Sequence, residues 1–199
     1  MRAIPFDTKL YKRQATFVIF YCKSTQPWKD YPADNSGRHN LRFPVCLMIN
    51  RSDGSLGFIG GMVEEGETLE QAARREVKEE IGHDVQVGLE GLVAHDIGAI
   101  TTHAFIAEVS YKELRKIQEE ATTADHFGSE ITGVFLPHLV DYEKKIGKGG
   151  GLANLLQSVM APSVREEMAH FLLEALNFDK QILEDICVRA GHDLEKLLA

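Results

Sequence analysis

The sequence predicts an α/β fold: a layered α/β/α sandwich on a mixed sheet, with additional C-terminal helices. Three observations predict it. Short apolar runs bounded by turn residues recur along the chain as far as residue 136. One strongly periodic helix lies among them, and a second precedes the last strand. From Gly147 onward the patterning is helical throughout. A chain of 199 residues fits one domain, here residues 1–178, with residues 179–199 as a helical extension that packs on the domain or on a partner subunit.

In chain order, residues 15–21 (ATFVIFY) form a buried strand, and residues 43–50 (FPVCLMIN) another, with Pro44 near the start, where a ladder tolerates it. The polar stretch between them is a loop long enough to be functional. Its Trp28 and Tyr31 suit stacking on a base or covering the domain's own apolar surface. Asp53-Gly54 makes a turn that leads through Leu56, Gly57 and Phe58 into the main helix, residues 68–81. Thr68 and Gln71 have the spacing of a capping box. Leu69, Ala72, Ala73, Val77 and Ile81 recur at helical spacing, and Gly82 sits where a left-handed cap belongs.

Residues 85–95 and 100–109 read as two strands around Gly98, residues 112–121 as a helix, and residues 131–136 as a further strand. The glycine run 147–151 is a linker rather than a phosphate cradle, because no strand and helix flank it in the required order. Helices follow at 152–160 and at 163–176, the latter with Ser163 as N-cap and Glu166 closing a capping box. The amphipathic stretch 179–199 is the last.

Hydrophobic content of 44% and charged content of 26% are those of an ordinary globular chain. No apolar stretch approaches a membrane span, and the first residues lack the apolar core of a signal peptide. Cys22, Cys46 and Cys187 are odd in number and lack metal-type pairing, so reduced thiols and an intracellular, cytoplasmic location are expected. The net charge of -8 argues against indiscriminate polyanion binding. Residues 1–42 nevertheless hold eight Lys or Arg against three Asp, enough to meet phosphates locally.

Chemistry concentrates in GMVEEGETLEQAARREVKEEIG, residues 61–82. Glu76, Glu79 and Glu80 stand at i, i+3 and i+4, where like charges destabilise a helix. A hard divalent cation removes that cost, and Mg²⁺ or Mn²⁺ prefers carboxylate oxygens while keeping waters for substrate phosphates. Gly57, Gly60, Gly61 and Gly66 permit backbone approaches that a side chain would block. A solvated acidic face requires no such fixed offsets of glycine, glutamate and arginine.

This run resembles the signature of the Nudix hydrolases almost position for position, with His83 where the family has an aliphatic residue. Residues 55–63, 121–139 and 150–168 look like the small nucleolar RNA-decapping branch, which includes inosine diphosphatase and mRNA-decapping activities. The similarity runs from about residue 15 to residue 176 and leaves out the tail.

The resemblance implies metal-dependent hydrolysis of a diphosphate linkage. Its metal shell would be the Gly60 carbonyl, Glu76, Glu80 and His95, with Glu79 a ligand or an orienting carboxylate and Glu130 the general base. Its substrate contacts would be Arg51, Phe58, Phe17 in place of a histidine, and Glu167 in place of a glutamine that reads the base. As an acceptor-only carboxylate, Glu167 would favour a guanine or hypoxanthine edge. Expected substrates are purine nucleoside diphosphates of inosine or guanosine type, or capped RNA 5′ ends, and RNA decapping would add the nucleus as a location. Two alternatives stay open: an ADP-ribose or NAD-type pyrophosphatase, and a non-catalytic nucleotide-binding module. The relatives also imply a homodimer.

Overall fold

The computed structural model describes residues 1–8, 13–24, 42–84, 86–140 and 151–199. Trp28, Tyr31 and the glycines at 147, 149 and 150 lie outside them. The described strands are β1 (Arg2–Ile4), β2 (Gln14–Cys22), β3 (Val45–Cys46), β4 (Met48–Arg51), β5 (Leu56–Gly57), β6 (Ile59–Met62), β7 (Glu90–Asp96), β8 (Thr101–Glu108) and β9 (Ile131–Phe135). The helices are α1 (Leu69–Ile81), α2 (Tyr111–Glu120), α3 (Gly151–Gln157), α4 (Val164–Glu174), α5 (Lys180–Arg189) and α6 (Leu194–Leu198).

β2 is apolar on both faces because both are covered. Val18, Phe20 and Cys22 pack with Val77 and Ile81 of α1 and Leu114 and Ile117 of α2. Ile19 and Tyr21 point the other way, into Leu152, Met168, Phe171, Ile186 and Leu197 of the C-terminal helices. The period-two alternation of a strand thus divides one sequence run between two cores. β8 pairs with β2 in parallel, while β6 and β3 share its other edge antiparallel, β6 along Ala15–Val18 and β3 at Tyr21 and Cys22. β7 and β1 complete that sheet beyond β8, and β5, β4 and β9 form a second one.

The main helix obeys its sequence. Thr68 Oγ1 accepts from Gln71 N–H (3.1 Å), Gln71 Oε1 accepts from Thr68 N–H (2.8 Å), and Gly82 adopts φ 67°. His83, where the family has an aliphatic residue, packs edge-on against Phe20 with ring centroids 6.0 Å apart.

Elsewhere the structure corrects the reading. Residues 43–50 are not one strand. Leu47 N–H still bonds Phe20 O (2.8 Å), but from Met48 the chain joins the second sheet, opposite β9. A continuous apolar run does not reveal which sheet its halves enter. β7 starts at Glu90 and is bulged between Gly91 and Val93, where the Phe6 ring fills the space above Gly91. β1 was not foreseen, being too short for periodicity; it pairs Ala3 with His95, and Ala3 N–H bonds Ala199 O (2.8 Å).

Ser163 does not cap α4 with its side chain, and Glu166 closes no box. At φ 70° the Ser163 hydroxyl turns to Glu167 Oε1 (2.8 Å) instead of the first-turn amides. The tail is two helices about Gly191 (φ 82°), with Leu183, Ile186, Cys187, Leu194 and Leu197 buried in the same cluster as α4. Among the described residues, no helix is long and apolar enough to cross a membrane.

Candidate active site

The two sheets part beside α1, and a cavity of about 550 Å³ opens there. Phe17, Arg51, Phe58, Gly60, Glu76, Glu80 and Glu130 all line it, so seven residues named from sequence converge. Three separate devices bring them in.

Close backbone approach is the first. Gly60 (φ 147°) lies against Thr16 and Phe17 so tightly that a Cβ would overlap their backbone, and a Cβ on Gly61 would meet Glu76 Oε1 at 2.5 Å. Gly60 N–H donates to Glu80 Oε2 (2.9 Å), which locks the glycine turn to the helix. The second is the end of β4, where the pairing with β9 shifts register between Asn50 and Arg51, Thr132 being the extra residue on β9, and Arg51 stands on the cavity wall. Asp53 Oδ2 then stands 3.5 Å from Arg51 Nε, while Asp53 Oδ1 accepts from Ser55 N–H (2.9 Å) and Oγ–H (2.6 Å). The third is a loop pinned at both ends: His126 N–H bonds Glu79 O (3.1 Å), and Ser52 N–H bonds Glu130 O (2.8 Å). The Glu130 backbone is thereby held at the cavity between α1 and β4.

Electrostatics follow from this crowding. Glu80 is 2% exposed, and burial, more than anything, pushes its pKa up to about 8; Glu76 and Glu130 raise it further, against the Gly60 N–H and Arg51. Burial also raises Glu76, although Arg75 opposes it. Arg75 is the residue whose role the sequence reading missed. Its guanidinium donates to Glu67 Oε1 (2.9 Å) and Oε2 (3.2 Å), Glu76 Oε1 (2.9 Å), Glu79 Oε2 (2.9 Å) and the Met62 carbonyl (2.9 Å). Only the planar fork of arginine serves so many oxygens at once. The Arg-Glu step in the motif was the available signal, but the partners Met62 and Glu67 are set by the turn.

Four assignments look different in three dimensions. Glu79 lies outside the cavity lining, held by Arg75. Phe58 is fully buried, so it forms part of the cavity floor and has no free face for stacking. His95 is 1% exposed and packs edge-on against His170 (centroids 5.7 Å), under α4 rather than beside the carboxylates. Neither of its ring nitrogens has a hydrogen-bond partner, and burial, then His170 and the N-terminal ammonium, lower its pKa to about 4. Glu167 is also fully buried: Thr102 and Val164 form the cavity wall there, and Glu167 is not part of it. Burial pushes its pKa up to about 7, against the Ser163 hydroxyl, so the ionised, acceptor-only form is less favoured there than on the surface.

A divalent cation fits this donor set. Two buried carboxylates with raised pKa values face a third, and a counter-cation relieves all three. Among the described residues, no three His, Cys, Asp or Glu side chains by themselves make a metal-holding group, so waters and substrate oxygens would complete the shell.

A split mixed sheet between helical layers, with an acidic helix locked to a glycine turn, defines a Nudix hydrolase, an enzyme of the pyrophosphohydrolase class. Two solved structures share the fold. One is a mutT/nudix family protein from Listeria innocua (TM-score 0.55, 18% identity, 88% of this chain and 99% of that one). The other is the NUDIX domain of Shewanella oneidensis NrtR complexed with ADP ribose (TM-score 0.50, 18% identity, 84% and 90%).

The chain belongs to the Nudt16-like family, described as U8 snoRNA-decapping enzyme-like, whose model matches residues 14–178. The U8 snoRNA-decapping enzyme of Xenopus laevis is 26% identical over 159 residues, 76% of this chain and 73% of that protein. That of Homalodisca vitripennis is 36% identical over 103 residues, 49% and 54%.

Proposed function

We propose that this enzyme hydrolyses a diphosphate linkage in a purine nucleotide, either an inosine- or guanosine-type nucleoside diphosphate or the capped 5′ end of an RNA, and that it needs Mg²⁺ or Mn²⁺. The observation that supports this best is the convergence of Glu76, Glu80, Glu130 and the Gly60 turn on one cavity that also presents Arg51 and Phe17. Glu76, Glu80 and the Gly60 carbonyl would hold the cation. Once bound, it would supply charge neutralisation of the phosphates and a water of lowered pKa.

The chain's own residues do the rest. Arg75 holds Glu76 and Glu79 in place, and Arg51 offers donors to a phosphate oxygen at the cavity mouth. Phe17, half-buried on the wall, gives a base an aromatic face. Glu130 takes the proton of the attacking water as the new P–O bond forms and the bridging P–O bond breaks. His95 and Glu167 act from behind the wall, as packing.

The test is a substrate panel of inosine diphosphate, guanosine diphosphate, a capped RNA oligonucleotide and ADP-ribose, each with Mg²⁺ and with Mn²⁺, read by phosphate-containing products. Turnover of the purine diphosphates or the capped RNA, abolished by chelation, supports the proposal. Preference for ADP-ribose moves the substrate, and no turnover of any diphosphate leaves a binding module. The proposed homodimer is checked by sedimentation, and an RNA substrate would extend the location from the cytoplasm to the nucleus.

A further inference from the structure

The loop that carries Glu130 contains a second side chain with an unmet requirement. His126 Nδ1 is buried and has no hydrogen-bond partner among the described residues, and it lies 3.7 Å from Glu130 Oε2. A buried ring nitrogen left unpaired costs free energy, and its persistence calls for an explanation. Here the explanation lies in what surrounds it. The His126 backbone is the hub of the loop: its N–H bonds Glu79 O, and its carbonyl accepts from the N–H of Ser129 (3.2 Å) and Glu130 (3.0 Å) and from the Ser129 hydroxyl (3.0 Å). The His126 backbone is therefore fixed relative to α1. Glu130, by contrast, has an exposed carboxylate, 60% accessible, that accepts no hydrogen bond from the described residues.

We propose that His126 is a positioning residue for Glu130: its Nδ1–H donates to Glu130 Oε2 and fixes the carboxylate over the cavity when substrate is bound. The inference rests on the reading of Glu130 as general base. A base oriented by a third group is the recurring arrangement for activating a nucleophile. Catalytic hydrogen bonds are commonly long before substrate arrives and tighten in the complex, which accounts for a separation of 3.7 Å. No bond to His126 forms or breaks; it only lowers the freedom of the group that receives the proton.

The experiment compares His126→Ala, His126→Asn, Glu130→Gln and the Ala/Gln double variant, using inosine diphosphate and a capped RNA oligonucleotide with Mn²⁺. His126→Ala is expected to lower kcat by about 10-fold to 100-fold with little change in KM, the scale of a misplaced catalytic group. Asn places an amide N–H close to the position of Nδ1, so His126→Asn is expected to restore most of the rate. In the Glu130→Gln background, His126→Ala should cost nothing further. Wild-type activity in His126→Ala beside an inactive Glu130→Gln overturns the positioning role and leaves the general base intact. Full activity in Glu130→Gln removes both. An equal loss from His126→Ala in either background, with a lowered melting midpoint, shows a structural role and overturns the inference.

Discussion

Glu80→Gln is expected to stabilise the metal-free protein at alkaline pH while removing turnover, because the same burial that suits Glu80 to a cation penalises it without one. Its pKa rises from the ordinary 4.5 to about 8 in the folded chain. A carboxyl whose folded pKa lies above its unfolded value contributes stability in full below the unfolded value. That contribution is lost as pH rises through the folded one. The wild-type protein without metal should therefore lose stability from about pH 4.5 to about pH 8 through this group.

At about 1.4 kcal/mol per pH unit the loss is on the order of 5 kcal/mol if Glu80 titrates alone, and less where Glu76 and Glu130 share the charge. Glutamine keeps an acceptor for the Gly60 N–H and cannot ionise, so the variant should lack this loss and keep only the pH dependence that Glu76, Glu167 and His95 give both proteins. Urea unfolding at pH 5, 7 and 9 in the presence of a chelator measures both profiles. Adding Mn²⁺ should recover most of the alkaline loss in the wild type and little in the variant. If the two proteins have parallel pH profiles in the chelator, or if Glu80→Gln turns over substrate, the account of Glu80 as a desolvated metal ligand is wrong.

Three further outcomes are expected. Arg75→Lys should lower kcat and cost about 1–3 kcal/mol of stability, since an ammonium cannot serve Glu67, Glu76, Glu79 and the Met62 carbonyl together; steady-state kinetics and thermal melts read the two effects. Gly61→Ala should displace the Glu76 carboxylate, which a Cβ would meet at 2.5 Å, and weaken Mn²⁺ affinity measured by calorimetry. His95→Leu should raise stability more at pH 5 than at pH 7.5. The folded pKa of His95 is depressed to about 4, so its contribution is present above about pH 6.5 and lost as pH falls toward 4. A change in melting midpoint independent of pH would contradict the buried, neutral imidazole.

Much of the fold was legible because its longest elements carry strong local patterns. The capping box at Thr68 and Gln71, the stripe through Val77 and Ile81 and the left-handed Gly82 all depend on contacts within a few residues, and all stand as the sequence implied. The elements misread depend on partners distant in the chain. Leu47 marks a change of sheet that only β2 and β9 define. Ser163 abandoned its cap because a buried Glu167 competed for its hydroxyl. Within the site, the residues of one helix and one turn were readable as chemistry, while Arg75 was read as spacing because two of its partners, Met62 and Glu67, lie outside its helix.

By itself, then, the sequence determined an acidic helix and a glycine turn, since both depend on local spacing, and their resemblance to the Nudix signature carried the reaction class. The tertiary structure decided which groups join the helix and turn. It placed Arg51 at the end of β4, on the cavity wall, and Glu130 on a loop tied at both ends. It buried Phe58 in the cavity floor and set His95 and Glu167 behind the wall. Whether a single polar or aromatic side chain reaches the cavity depends on packing against residues distant in the chain, which local patterning does not record.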